Sequence, residues 1–208
     1  MDPRVSQFRK AVAAVLQNRQ REEIHSPELA PAAVLMAFYE KEGQILLSFT
    51  KRTDHVPYHK NQISFPGGAR EKQDTSLLHT ALRESAEEVG LDTSTVEMLG
   101  VLDDTPTIAS KFVITPYVAF LNTPPRFHIN SEEVAEVIEV PLDTLLDHRN
   151  AREETQVVDG KTHQVFFYDY AGHTIWGATA RVLRRFLDLL YPALPDATTP
   201  SPPHRPSD

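Results

Sequence analysis

The chain has 208 residues, no cysteine, 40% apolar and 24% charged side chains, and a formal net charge of −8 at pH 7. That length can bury a full core and sets the expectation of one domain with extensions rather than two domains. The composition excludes disulfides, thiolate metal sites and a cysteine nucleophile. It also argues against duplex nucleic acid, which calls for a basic surface, and so leaves chemistry carried by oxygen ligands.

The N-terminus has no sustained apolar run, so neither a signal peptide nor a membrane span is expected and the default location is cytoplasmic. Residues 4–20 carry Val5, Phe8, Val12, Val15 and Leu16 at helical spacing, an amphipathic helix to be docked on the domain. Residues 21–31 mix charges with Pro27 and Pro31 and read as a connection, so residues 1–30 form a helix and linker ahead of a main domain over 31–191. Two strands follow, residues 32–39 and 44–49, with a turn over 40–43. Residues 51–61 read as a basic, polar loop, and Pro57 argues against a helix there. A brief strand over 62–66 ends where Gly67 and Gly68 form a glycine loop.

From Asp74, a plausible N-cap, to Gly90, a C-terminal glycine, the pattern is helical. Strands are expected over 96–102, 112–120 and 133–140, and a short helix over 141–147. A hairpin spans 155–170 with Asp159-Gly160 as its turn, and a closing helix spans 178–191. The tail over 192–208 is rich in proline and lacks an apolar pattern, so it is expected to be mobile. The architecture is a single α/β (α+β) domain, a mixed β-sheet with helices on its faces.

Within the predicted helix, Glu84, Glu87 and Glu88 stand at i, i+3 and i+4, while Leu78, Ala81, Leu82 and Val89 fall on roughly the opposite side. Packing by the apolar side gathers three acids on the other. Their mutual repulsion suggests a cation between them, and hard oxygen ligands suit Mg²⁺ or Mn²⁺. The same pattern also suits a solvated acidic face.

Gly68, Asp74 and Arg83-Glu84-Ser85-Ala86-Glu87-Glu88-Val89-Gly90-Leu91 resemble the Nudix box, which runs Gly, five residues, Glu, seven residues, Arg-Glu, apolar, any, Glu-Glu, any, Gly, apolar. Three positions depart from it. Asp74 replaces Glu, eight residues rather than seven precede Arg83, and Ser85 stands at the apolar position, where its hydroxyl needs a partner such as a backbone carbonyl one turn back. Upstream, Leu46-Leu47, Arg52, His59 and Gln62-Ile63-Ser64-Phe65-Pro66-Gly67-Gly68 resemble the coenzyme A diphosphatase branch of the Nudix hydrolases, with departures at Pro57 and Asn61, where the branch has leucine and glycine.

The resemblance implies the Nudix fold and metal-dependent hydrolysis of coenzyme A to 3′,5′-ADP and 4′-phosphopantetheine. It makes Glu84, Glu87 and Glu88 the metal ligands together with a carbonyl near Gly68, and gives Arg83 the role of orienting a glutamate. The water-activating base is a box glutamate or one of Glu132, Glu133 and Glu136. Substrate recognition falls to Arg52, His59, Lys60 and Gln62, and Trp176 is expected to pack in the core or an interface. The implied partner is a small nucleotide, with no nucleic acid and no membrane; a homodimer is left open. Another nucleoside diphosphate derivative, NADH or ADP-ribose, is the nearest rival substrate, and a non-hydrolysing Nudix-fold sensor is a more distant reading.

Overall fold

The computed structural model describes residues 2–54, 61–107, 110–158 and 160–194. In chain order the elements are α1 (Pro3–Gln17), β1 (Ala30–Lys41), β2 (Gln44–Arg52), β3 (Ile63–Ser64), β4 (Gly67–Ala69), α2 (Leu77–Val89), β5 (Val96–Val101), β6 (Thr105–Pro106) and β7 (Phe112–Leu121). They continue with β8 (Val134–Pro141), α3 (Leu142–Leu146), β9 (Ala151–Val158), β10 (Lys161–Tyr170), β11 (His173–Trp176) and α4 (Gly177–Leu190).

Strand β1 is the axis of the main sheet. Its side chains alternate between two apolar clusters, Met36 and Phe38 on one face and Leu35, Ala37 and Tyr39 on the other, so it is buried on both sides. The first cluster is closed by Val5, Phe8, Val12 and Leu16 of α1 and by Val182, Leu183, Phe186 and Leu190 of α4. The second is closed by Ala81 and Val89 of α2. The sheet is therefore sandwiched between helices, as the sequence leads one to expect. It is mixed: β1 runs parallel to β7 and antiparallel to β2 and β4.

The sheet splits along one edge of β1. Its C-terminal half pairs with β2 from Phe38 to Lys41, and its N-terminal half pairs with β4 from Ala32 to Val34. Between them the Leu35 amide donates to the Pro66 carbonyl at 2.9 Å. The expected glycine loop is thus a strand: Gly67 and Gly68 complete the ladder of β1, a pairing that a local reading of two glycines does not reveal. Lys51 and Arg52, expected in a loop, are the end of β2, because β8 continues to pair with β2 as far as Arg52.

A second, three-stranded sheet in the order β11-β10-β9 packs its inner residues Tyr168 and Ile175 into the first cluster. The sequence reading lacked β11, which returns from β10 through Ala171 and Gly172, both at positive φ. Because Ile175 points inward, its neighbour Trp176 points outward and is 46% exposed, so it is not a core residue. The Asp159 half of the expected hairpin turn and residues 195–208 lie outside the described residues.

Candidate active site

The site forms where β4 meets α2. Gly67 has φ 152°, and a Cβ there would stand 2.3 Å from the Ala33 carbonyl oxygen, so only glycine lets β4 lie this close to β1. A Cβ on Gly68 would instead meet Glu84 Oε1 at 2.5 Å. The carboxylate of Glu84 therefore rests directly on the bare backbone of Gly68.

Helix α2 is capped by Ser76, whose side chain accepts from the His79 amide at 3.1 Å, and it stops at Gly90 in the left-handed conformation with φ 65°. Asp74 is thus not the N-cap. Its buried carboxylate accepts from Arg83 Nε and Nη2 at 3.0 Å each, from the Thr80 hydroxyl at 3.0 Å and from the Glu71 amide at 2.8 Å, and it faces His79 Nδ1 at 3.0 Å. Arg83, as the strongest of these partners, holds this carboxyl far below the usual carboxylate range. The remaining reach of Arg83 goes to the metal candidates, with Nη1 at 2.8 Å from Glu87 and Nη2 at 3.0 Å from Glu84. Asp74 fixes the guanidinium, and the guanidinium fixes two glutamates.

The three box glutamates form a gradient of burial. Glu87 is exposed, Glu84 is half-buried and Glu88 is 3% exposed. Glu88 accepts from the Gly67 amide at 3.2 Å and lies 3.6 Å from Arg52 Nη1. Burial pushes its carboxyl up to about 7, with Glu84 and Glu133 adding repulsion, and burial likewise raises Glu84. Ser85, buried on the packed side, donates to the Ala81 carbonyl at 2.7 Å, one turn back as its position requires.

Of the distant glutamates, Glu133 adds repulsion to both Glu84 and Glu88. It is brought there by a segment stitched to the end of α2, with the His128 amide on the Val89 carbonyl and the Asn130 amide on the Glu88 carbonyl, both at 2.9 Å. The Thr53 amide bonds the Glu133 carbonyl at 3.0 Å and ties the same segment to the end of β2. Glu136 is paired with His173 at 2.9 Å and faces Lys51 at 3.9 Å, and Glu132 is exposed. Gln62 accepts the Arg52 amide on its carbonyl at 3.0 Å, and His59 and Lys60 lie outside the described residues.

The donor set fits a hard divalent cation. A buried, raised Glu88 carboxylate repelled by the half-buried Glu84 is the chemistry such an ion relieves. Among the described residues no three acidic or histidine side chains are already drawn together as a cage, since Glu87 is turned to Arg83. Sequence reasoning missed the Gly67 amide on Glu88 and the Thr80 and His79 contacts to Asp74. The first depends on pairing with β1, and the others look like ordinary helix residues.

This fold and site define a class: the NUDIX domain family matches residues 29–159, and the chain belongs to it. Such an assignment makes the chain a Nudix hydrolase acting on a diphosphate-bearing substrate. Among its relatives is a protein of Yersinia enterocolitica, 40% identical over 156 residues that span 74% of this chain and 78% of that one. A counterpart in an Enterobacter species is 37% identical over 155 residues, 74% and 79% of the two chains. Both are named Uncharacterized Nudix hydrolase NudL. A solved MutT/nudix family protein from Enterococcus faecalis shares the fold at 16% identity, with a TM-score of 0.53 over 85% of this chain and 66% of that one.

Proposed function

We propose that the chain hydrolyses the diphosphate bond of coenzyme A, giving 3′,5′-ADP and 4′-phosphopantetheine, with Mg²⁺ or Mn²⁺ held by Glu84, Glu87, Glu88 and a carbonyl near Gly68. The observation that carries the coenzyme A reading is the backbone of Asn61. It stands where the coenzyme A branch has glycine, and it adopts φ 58°, the left-handed conformation that glycine takes freely and asparagine tolerates better than other residues. The departure in sequence therefore keeps the turn, and that turn sets Gln62 against Arg52 beside Glu88.

When bound, the cation neutralises the diphosphate oxygens and lowers the pKa of the attacking water. The chain's own residues do the rest. Asp74 and Arg83 hold Glu84 and Glu87 in place, and the bare backbone at Gly68 leaves room for the Glu84 carboxylate. Glu133 is the distant glutamate best placed to take the proton of water, since Glu136 is engaged by His173 and Glu132 is exposed. Arg52, His59, Lys60 and Gln62 supply positive charge and donors to the phosphates.

The test is a substrate panel with Mg²⁺ and with Mn²⁺: coenzyme A, its acyl and oxidised forms, NADH and ADP-ribose. Coenzyme A is expected to give 3′,5′-ADP. A panel in which coenzyme A is untouched while NADH or ADP-ribose is cleaved overturns the substrate. Near wild-type turnover in both Glu87→Gln and Glu88→Gln overturns the ligand set.

A further inference from the structure

We infer that Arg52 is a positioning residue that alternates between two anions: Glu88 while no cation is bound, and the substrate diphosphate once a cation has taken Glu88. The inference rests on the proposed reading of Glu88 as a cation ligand and of the substrate as a diphosphate.

Arg52 is the last residue of β2, at the point where the ladder with β8 slips between Lys51 and Arg52. The extra residue of that slip, Ala135, lies on β8, so β2 keeps its alternation through Arg52. Even-numbered residues of β2 face the α2 side, as Leu46 does, so Arg52 is delivered to the buried carboxylate of Glu88. Its backbone is fixed, with the amide on the Gln62 carbonyl at 3.0 Å, so movement is confined to the side chain.

The contact itself is suited to exchange. At 3.6 Å from Glu88 Oε1, Arg52 Nη1 offers charge without the geometry of a short hydrogen bond. The side chain of Glu88 is 4% exposed while that of Arg52 is 27% exposed, so one partner is anchored and the other reaches solvent. Arg83 has no such freedom, being 13% exposed and shared among Asp74, Glu84 and Glu87.

With Glu84 and Glu133 repelling Glu88, Arg52 is a cation that offsets the buried charge when no metal does. With a divalent ion held by Glu88, the Arg52 guanidinium would lose that partner, and its planar fork would be free to match a phosphate oxygen pair. Cation and substrate each favour the other's binding, with Arg52 as the shared element.

The experiment is calorimetric titration of Mn²⁺ into the metal-free full chain, without nucleotide, for wild type, Arg52→Gln, Arg52→Met and Arg52→Lys, with thermal melts to establish folding. Removing the charge is expected to tighten Mn²⁺ binding about five-fold or more, while Arg52→Lys stays near wild type. A general loss of structure moves affinity the other way. If both neutral variants bind Mn²⁺ no more tightly than wild type, the exchange is overturned. At saturating Mn²⁺, KM for coenzyme A is expected to rise about ten-fold in Arg52→Gln with a smaller change in kcat, and an unchanged KM overturns the substrate half. A wild type that does not cleave coenzyme A, together with neutral variants that tighten on Mn²⁺, overturns the coenzyme A reading alone.

Discussion

A methyl group at Gly68 would stand 2.5 Å from Glu84 Oε1, and the carboxylate rather than the strand would have to give way. Gly68→Ala is therefore expected to keep its melting temperature within a few degrees but to lose about ten-fold or more in turnover, as displaced ligands do. Turnover kept at the wild-type level would show that Glu84 is not held against Gly68. Glu88 carries the opposite balance, between stability and chemistry. Its folded pKa of about 7 lies above the unfolded 4.5, so the native state binds the proton more tightly, and metal-free stability falls as pH rises through that window. Glu88→Gln is expected to stabilise the metal-free chain by about 2–3 kcal/mol at pH 8, with the gain vanishing below the unfolded pKa. Urea unfolding at the two extremes of pH measures it, and equal gains at both would mean the carboxyl is not shifted. The glutamate triplet was legible because i, i+3 and i+4 is a local rule. The approach of Glu133 was not, because it depends on a segment tied to the end of α2 by backbone hydrogen bonds that no periodicity encodes.

Helix α2 and the segment entering it explain two departures from the Nudix box together. Aspartate is one methylene shorter than glutamate, and the entry segment is one residue longer. The extra residue lies among residues 75–82, between Asp74 and Arg83, and the shorter carboxylate still meets Arg83 Nε at 3.0 Å. Asp74→Glu alone overfills a side-chain site with no exposure, and deletion of Thr75 alone draws the carboxylate away. Each is expected to lower both melting temperature and turnover, and the double variant to exceed either one. Strict additivity in that cycle would mean that the two departures are unrelated. The apolar stripe and Gly90 placed the end of α2 correctly, but Asp74 and Ser76 are both good caps, and the helix starts at Leu77 because Ser76 takes the His79 amide while Asp74 is held by Arg83. Strand β4 was illegible for a different reason. Gly67 and Gly68 carry no β propensity, and they are a strand only because β1 lies beside them. The same holds for Arg52, which reads as loop until β8 is in place.

At the scale of the whole molecule, the proposed cation ligands would couple cation, proton and fold. Below about pH 7 Glu88 keeps its proton, which a cation bound there would have to displace; above that pH Glu88 is already ionised. Saturating Mg²⁺ or Mn²⁺ is expected to raise the melting temperature by about 5–10 °C at pH 8. The rise at pH 6 is expected to be clearly smaller, and equal shifts at the two pH values would remove Glu88 from the ligand set. The sheet sandwiched by helices was readable in outline from alternating and helical stripes, whereas the split along β1 that makes room for the site was not. The N-terminal helix has a consequence of its own. The family match begins at residue 29, yet Phe8 lies 5.0 Å from Phe38, Arg19 is 2.6 Å from Asp103 and Arg21 is 2.6 Å from Asp104. The stretch that matches the family and the stretch that packs together are not coextensive. Cutting before residue 29 would bare an aromatic face and take Arg21 from the buried Asp104 carboxylate, leaving an aggregating fragment rather than a smaller enzyme.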